Sequence, residues 1–263
     1  FNGEGQYIAA PNLSLHIYET VTFSVWVKRT VEDEILAIYT NDHLFSRNYN
    51  DFNELYISGN GQTVFRIKDY GGPTDITWVS AESIPVGEWA HVLLKHENGN
   101  DPEIFINGQS SIVSCGSCNG VKNRQVGDNA TFFGRTSGHY NDGNNNNVNT
   151  EIYSYGMLDE LAVFDADLSE DEINQLVFNK VLPDDAEAIL IGYWHFDEGI
   201  GDMVYDSSIN DRDGINYNVS WTDDVPIIGC PDEAASNYNP ESNTSYENCS
   251  YVPDIPTNVI VEG

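Results

Sequence analysis

Thr22-Phe23-Ser24-Val25-Trp26-Val27-Lys28 is the stretch on which the fold turns. Polar and apolar side chains alternate along it with a period of two, the mark of a β-strand with one buried face. Similar short runs recur at 35–40, 54–58, 63–67, 76–79, 89–95, 103–106, 130–133 and 158–164. Turn signals such as Gly59-Asn60-Gly61, Tyr70-Gly71-Gly72-Pro73 and Asn107-Gly108 separate them. The last of these predicts a tight hairpin after Glu103-Ile104-Phe105-Ile106, because Asn-Gly accepts the positive φ angles of a type I′ turn. Many short strands joined by regular turns predict an all-β, two-sheet antiparallel sandwich. Trp26, Trp89 and Trp194 sit inside strand patterns and read as core.

One short helix interrupts the pattern. Ser169-Glu170-Asp171-Glu172 is a capping box, in which Ser169 caps the first amides and Glu172 reaches back to it. Ile173, Leu176 and Val177 follow at helical spacing, and Pro183 lies beyond the end. Residues 137–150 are polar and low in complexity, which predicts a long surface loop, either functional or a simple insertion. Residues 190–196 read as a further strand, followed by an acidic, turn-rich stretch to Trp221. The expected organisation is a sandwich over 1–226, closed by 190–226, then a small unit over 227–251 bounded by Cys230 and Cys249. Residues 252–263 read as a linker to a following domain.

The chain has 263 residues, with 42 acidic against 11 basic side chains and a formal charge of −31. Hydrophobic residues make up 40% and aromatic ones 12%, enough for a substantial core. The acidic excess disfavours nucleic acid and anionic membrane surfaces, since no basic patch is present to neutralise phosphates. It suits cation binding, and it suits a salty medium that screens self-repulsion within roughly 8 Å. No apolar run approaches the roughly 20 residues of a membrane helix. Residue 1 is Phe, so the sequence reads as part of a longer, multidomain chain. Four cysteines form two close pairs, Cys115/Cys118 and Cys230/Cys249, as in disulfides of an oxidising compartment. The C-x-x-C lies in a Gly/Ser/Asn-rich loop with no second C-x-x-C to complete a zinc site, so a loop disulfide is expected. Secretion or display on a cell surface is therefore expected. Five N-x-S/T sequons stand at Asn12, Asn129, Asn218, Asn243 and Asn248.

In order along the chain, several stretches resemble one family, the laminin-G-like and concanavalin-A-like jelly rolls. Phe1-Asn2-Gly3-Glu4-Gly5-Gln6-Tyr7-Ile8 is similar to the family's opening Phe-Asp-Gly strand, and 22–28 to its second strand. Gly87-Glu88-Trp89-Ala90-His91-Val92 resembles its Gly-x-Trp-x-His-Val strand, and 103–108 the hairpin after it. Phe132-Phe133-Gly134-Arg135 with Gly156-Met157-Leu158-Asp159-Glu160-Leu161 resembles a later strand pair, and Leu168-Ser169 with Glu172-Ile173 the helix that follows. Gly192-Tyr193-Trp194-His195-Phe196-Asp197-Glu198-Gly199 resembles a segment that usually precedes the opening strand; here it comes last, which implies either closure of the same sandwich in circularly permuted order, the favoured reading, or the start of a second, incomplete copy. The Cys230 to Cys249 unit resembles short modules in long secreted proteins of marine bacteria.

The resemblance implies a calcium site in which Asp159 joins backbone oxygens around Gly3, with Asn2 standing where the family carries Asp. The alternative is that Asp159 only accepts hydrogen bonds from a turn. Asp142, with Asn144, is a candidate for a second calcium ion in the distal loops. Asp232, Asn237, Asn239 and Glu241 are spaced like a fragment of a calcium loop. For a glycan, Trp78, Tyr70, His139, Tyr140 and Tyr49, in or beside predicted loops, are the expected aromatic contacts. Catalysis is disfavoured. Glycosidases of this fold place two carboxylates on one strand facing the cleft, in a Glu-x-Asp-x-x-Glu run that this chain lacks. Asp159 and Glu160 are adjacent and so are expected to point to opposite faces. The expected function is an extracellular, calcium-dependent binding or adhesion module for a glycan or a cell-surface partner. A structural spacer without a ligand is the alternative, and a hydrolase a distant third.

Overall fold

The 22–28 run lies inside a ten-residue strand, Thr20–Arg29, at the centre of one of two large antiparallel sheets. The structure is a computed structural model describing residues 1–42, 52–68, 76–116, 118, 122–124, 131–136, 139–141, 147–149, 152–244 and 249–251. For 42, 52, 68, 139–141 and 147–149 the backbone alone is described. The six-stranded sheet runs Leu190–Trp194, Gly156–Phe164, Thr20–Arg29, Trp89–Glu97, Glu103–Ile106, Gln109–Ser111. The nine-stranded sheet runs Val113–Cys115, Ile76–Ser83, Gln62–Lys68, Phe52–Ile57, Leu36–Asp42, Thr131–Phe133, Tyr7–Ala10, Gly214–Tyr217, Met203–Val204. This is the two-sheet jelly-roll sandwich expected from the alternation. The hairpin is also as expected: Ile106 pairs with Gln109, and Asn107 and Gly108 both have positive φ, 51° and 79°.

Period-two alternation builds the core between the sheets. Val21, Phe23, Val25 and Val27 face Leu36, Leu55, Phe65 and Phe133 across it. Each such side chain, fully buried, stabilises the fold by roughly 1.5–3 kcal/mol. The other face of the central strand is buried too, which a one-sided pattern does not predict. Leu93, Phe105, Ala162 and Phe164 on that face receive Ile173, Leu176 and Val177 of the helix Glu170–Asn179. Its capping box forms as expected: the Glu172 amide donates to Ser169 Oγ, and the Ser169 amide donates to Glu172 Oε2 at 2.7 Å. Lys180, in the left-handed conformation (φ 50°), ends the helix and donates its amide to Gln175 O.

Leu190–Trp194 pairs with Gly156–Phe164 in one sheet, while Gly214–Tyr217 pairs with Tyr7–Ala10 in the other. The 190–217 segment therefore contributes to both layers. Beyond it, Asp224 accepts from Lys28 Nζ at 2.7 Å and from Trp89 Nε1 at 2.9 Å. The Trp89 amide donates to Asn243 O at 3.2 Å, which seats the C-terminal unit against the edge of the sandwich. Both expected disulfides are present, Cys115–Cys118 and Cys230–Cys249. Among the described residues no helix is long and apolar enough to cross a membrane.

Two expectations need correction. The polar 137–150 segment is not wholly loop, since His139–Asn141 and Asn147–Asn149 pair as a short ribbon. Trp78 lies within a strand, Ile76–Ser83, and is only 1% exposed. Its ring stacks on Phe65 in the core at 5.7 Å, and its Nε1 donates to Asp101 at 2.7 Å. It presents no accessible platform.

Candidate functional site

Ile8 and Ala10 point into the core, so the intervening pleat turns Tyr7 to the outer face of the nine-stranded sheet. Its cross-strand partner is Tyr217, and the two rings stack 4.6 Å apart at 14°. Tyr153 lies 6.4 Å from Tyr7 at 27°, and Phe132 meets it edge-on at 5.8 Å. The Arg135 guanidinium carbon stands 4.0 Å from the centre of the Phe132 ring and 5.1 Å from that of Tyr7, a cation–π arrangement.

Gly134 makes this possible. Its φ of +84° turns the chain out of the sheet, and a Cβ there would meet the Phe1 ring at 2.0 Å. Arg135–Thr136 can then leave the strand Thr131–Phe133 and pair with Ile152–Tyr153. Thr40 Oγ1, donating to Arg135 O at 2.8 Å, ties this ribbon down. The face continues through Glu54 and Arg66, an ion pair at 3.5 Å. At the other end Ile215 pairs with Met203, and both are exposed. Tyr217 is 40% exposed.

The result is a band of phenol rings and hydroxyls beside a fixed guanidinium, carried on a rigid sheet. Aromatic rings pack against apolar C–H surfaces and hydroxyl groups supply directed hydrogen bonds; Arg135, 4% exposed, is buried beside the rings. None of Tyr7, Tyr153 and Tyr217 is among the residues expected from sequence. The available signal is parity: an aromatic residue out of phase with the buried Ile8 and Ala10 belongs on the solvent side.

Of the aromatic residues expected to bind, Tyr49 and Tyr70 lie outside the described residues, and of His139 and Tyr140 the backbone alone is described. Asp142 and Asn144 also lie outside the described residues.

Asp159 and Glu160 do not point to opposite faces. The register of Gly156–Phe164 against Thr20–Arg29 shifts between Asp159 and Ala162, and Glu160 takes a positive φ of 52°. This β-bulge lets both carboxylates meet one ammonium: Lys180 Nζ lies 3.3 Å from Asp159 Oδ2 and 3.9 Å from Glu160 Oε1. Burial pushes the Asp159 carboxyl up to about 6, against the pull of Lys180 and with the push of Glu160. Glu160 Oε2 also accepts from the Tyr193 hydroxyl and lies 3.0 Å from His195 Nδ1.

A calcium ion needs six to eight oxygens, most of them unengaged. Asp159 already faces an ammonium, and Asn2 Oδ1 accepts from the Glu4 amide at 3.1 Å. Among the described residues no group of three or more His, Cys, Asp or Glu side chains is arranged to hold a metal. In the C-terminal unit, Asp232, Asn237 and Asn239 accept from the amides of Ala234, Ser250 and Glu241 respectively, which organises their own turns.

The chain belongs to the concanavalin A-like lectin/glucanases superfamily, whose pattern it matches over residues 2–174. No curated protein matches it. Among solved structures, it is similar to a protein of Bacteroides ovatus described as carbohydrate-binding, with 17% identity and a TM-score of 0.57 over 86% of this chain. The chain spans 60% of that protein's length. It is also similar to the CBM40 of the Ruminococcus gnavus IT-sialidase, solved with α2,3-sialyllactose, with 16% identity and a TM-score of 0.50. That likeness covers 66% of this chain and 95% of the other. Identities this low establish shared fold.

Proposed function

We propose that the protein is a non-catalytic, extracellular glycan-binding module that holds its ligand on the outer face of the nine-stranded sheet. The observation that carries this reading is the stacked, partly exposed band of Tyr217, Tyr7 and Tyr153 beside Arg135. A sugar offers C–H faces to the exposed ring surfaces and hydroxyls to the phenols, while Arg135, 4% exposed, lies buried against the Tyr7 and Phe132 rings and holds them in place. A site on strands holds its groups more precisely than one on loops. The carbohydrate-binding proteins of similar fold support the same class of ligand.

The non-catalytic reading rests on the carboxylates. Asp159 and Glu160, the adjacent acidic pair of the family strand, share Lys180 at the end of the helix. Two disulfides support an oxidising, extracellular setting. A multidomain surface protein is the proposed context. The reading assigns no calcium to Asp159.

Binding of the full chain to a glycan array tests the proposal. At least one glycan family is expected to bind, and Tyr217→Ala is expected to lower its affinity by about tenfold or more. Truncating an aromatic anchor typically costs above 1 kcal/mol, and 1.4 kcal/mol is a tenfold change. An array without binding would favour the spacer reading, and binding unchanged in Tyr217→Ala would remove this face from consideration.

A further inference from the structure

On the opposite side of the sandwich, a groove of about 740 Å³ runs between the helix end and the C-terminal unit. Gln109, Phe178 and Asn179 form its sandwich wall; Asn237, Tyr238 and Asn239 form the other. Its size lies within the roughly 300–1,000 Å³ typical of small-ligand sites. None of its described lining residues is charged, although the chain carries 42 acidic side chains and a net charge of −31.

The walls are fixed before any ligand arrives. Asn239 Nδ2 donates to Ile228 O at 3.0 Å while its Oδ1 accepts from Glu241 N at 3.1 Å. Asn237 Oδ1 accepts from Ser250 N at 2.9 Å, and Asn179 Nδ2 donates to Gln175 Oε1 at 2.9 Å. The Cys230–Cys249 disulfide closes the unit, and the Trp89–Asn243 hydrogen bond holds it to the sandwich. Tyr238 is nevertheless 43% exposed at the groove.

We propose that this groove is a second ligand site and that it takes a neutral saccharide. Amide groups both donate and accept, which matches hydroxyls that do the same. The Tyr238 and Phe178 rings offer faces for sugar C–H surfaces. A carboxylate or sulfate finds no cation among the described lining residues and meets a strongly negative protein. The inference shares its ligand class with the reading of the tyrosine face, but its residues are separate, so either can fail alone.

The test titrates the full chain with neutral hexasaccharides of gluco, manno, galacto and xylo configuration, and with an anionic oligoguluronate. At least one neutral hexasaccharide is expected to bind with an affinity that Tyr238→Ala lowers about tenfold and Tyr217→Ala leaves unchanged. Tyr238→Phe, which keeps the ring, is expected to retain most of it. Asn179→Ala, on the sandwich wall, gives an independent check should Tyr238→Ala loosen the small unit. Failure of every neutral hexasaccharide to bind would overturn the proposal. So would binding untouched by both Tyr238→Ala and Asn179→Ala, or oligoguluronate binding that these variants reduce equally. A loss confined to Tyr217→Ala would locate all binding on the tyrosine face and also overturn it.

Discussion

Arg124 is the residue whose removal has the most predictable consequence. It is 4% exposed. Its Nε donates to Leu15 O at 3.0 Å, and its Nη2 to Tyr18 O and to Glu19 O, the latter at 3.1 Å. Its Nη1 serves His96 O and lies 2.7 Å from His96 Nδ1. One guanidinium thus ties the turn before the central strand Thr20–Arg29 to the neighbouring strand Trp89–Glu97. Burial brings its pKa down to about 10, so it stays charged at neutral pH.

Arg124→Leu keeps much of the volume and removes every donor. The carbonyls of Leu15 and His96 would lose a charged donor, at a cost of about 1 kcal/mol or more each, while Tyr18 O and Glu19 O would keep only their bonds from Asn98, at 3.1 and 2.9 Å. Relief of the guanidinium's own desolvation offsets part of this. The expected net loss is about 3–5 kcal/mol, as for breaking a buried charged network. In a chain of this size that is a fall of roughly 6–15 °C in Tm. Urea unfolding at neutral pH, compared at unchanged m-value, measures it. The His96 pKa gives a second readout: burial and then Arg124 hold it down at about 3, so Arg124→Leu should raise it. A stability loss under about 1 kcal/mol with an unmoved His96 titration would refute the argument.

Two further predictions concern protons and metal. His91, 1% exposed and bonded to Ser24 at 2.9 Å, is held by burial at about 3, below its ordinary 6.5. The stability that this contributes is full above the unfolded value of about 6.5 and is lost as pH falls from there toward 3. Urea midpoints of His91→Gln should therefore fall less steeply with acidification, by up to about 1.4 kcal/mol per pH unit; an identical slope would count against a neutral buried His91. At Asp159, any stabilisation of the protein by millimolar calcium should be the same in wild type and Asp159→Asn, because Lys180 already faces that carboxylate. A calcium-dependent Tm rise that Asp159→Asn abolishes would show that the ion displaces Lys180.

Local rules carried much of the fold. Alternation at 22–28 and 103–106, the Asn107-Gly108 turn and the Ser169–Glu172 box each act within a few residues, and each formed in place. What the sequence concealed depends on contacts between distant segments. The 76–79 run reads as a strand but does not say which of its faces is covered; Ile76, Trp78 and Ser80, all buried, share the face that packs inward. The bulge at Glu160 leaves no mark, since Glu is an ordinary strand-edge residue and its left-handed φ is imposed by register. Residues 7, 153 and 217 meet only through sheet order and the Gly134 turn, so no window of sequence contains the tyrosine band. Arg124 likewise lies in an irregular segment, where nothing local predicts a buried guanidinium.

The most direct test of glycan binding at the tyrosine band is residue-resolved NMR of the full chain with ring-labelled tyrosine. The spectra are recorded while the best array glycan is titrated in. Saturable shifts of the Tyr7, Tyr153 and Tyr217 ring signals, with the buried Tyr39 ring unmoved, are the expected result. Saturable binding that leaves those three signals in place would contradict the assignment of the ligand to this face.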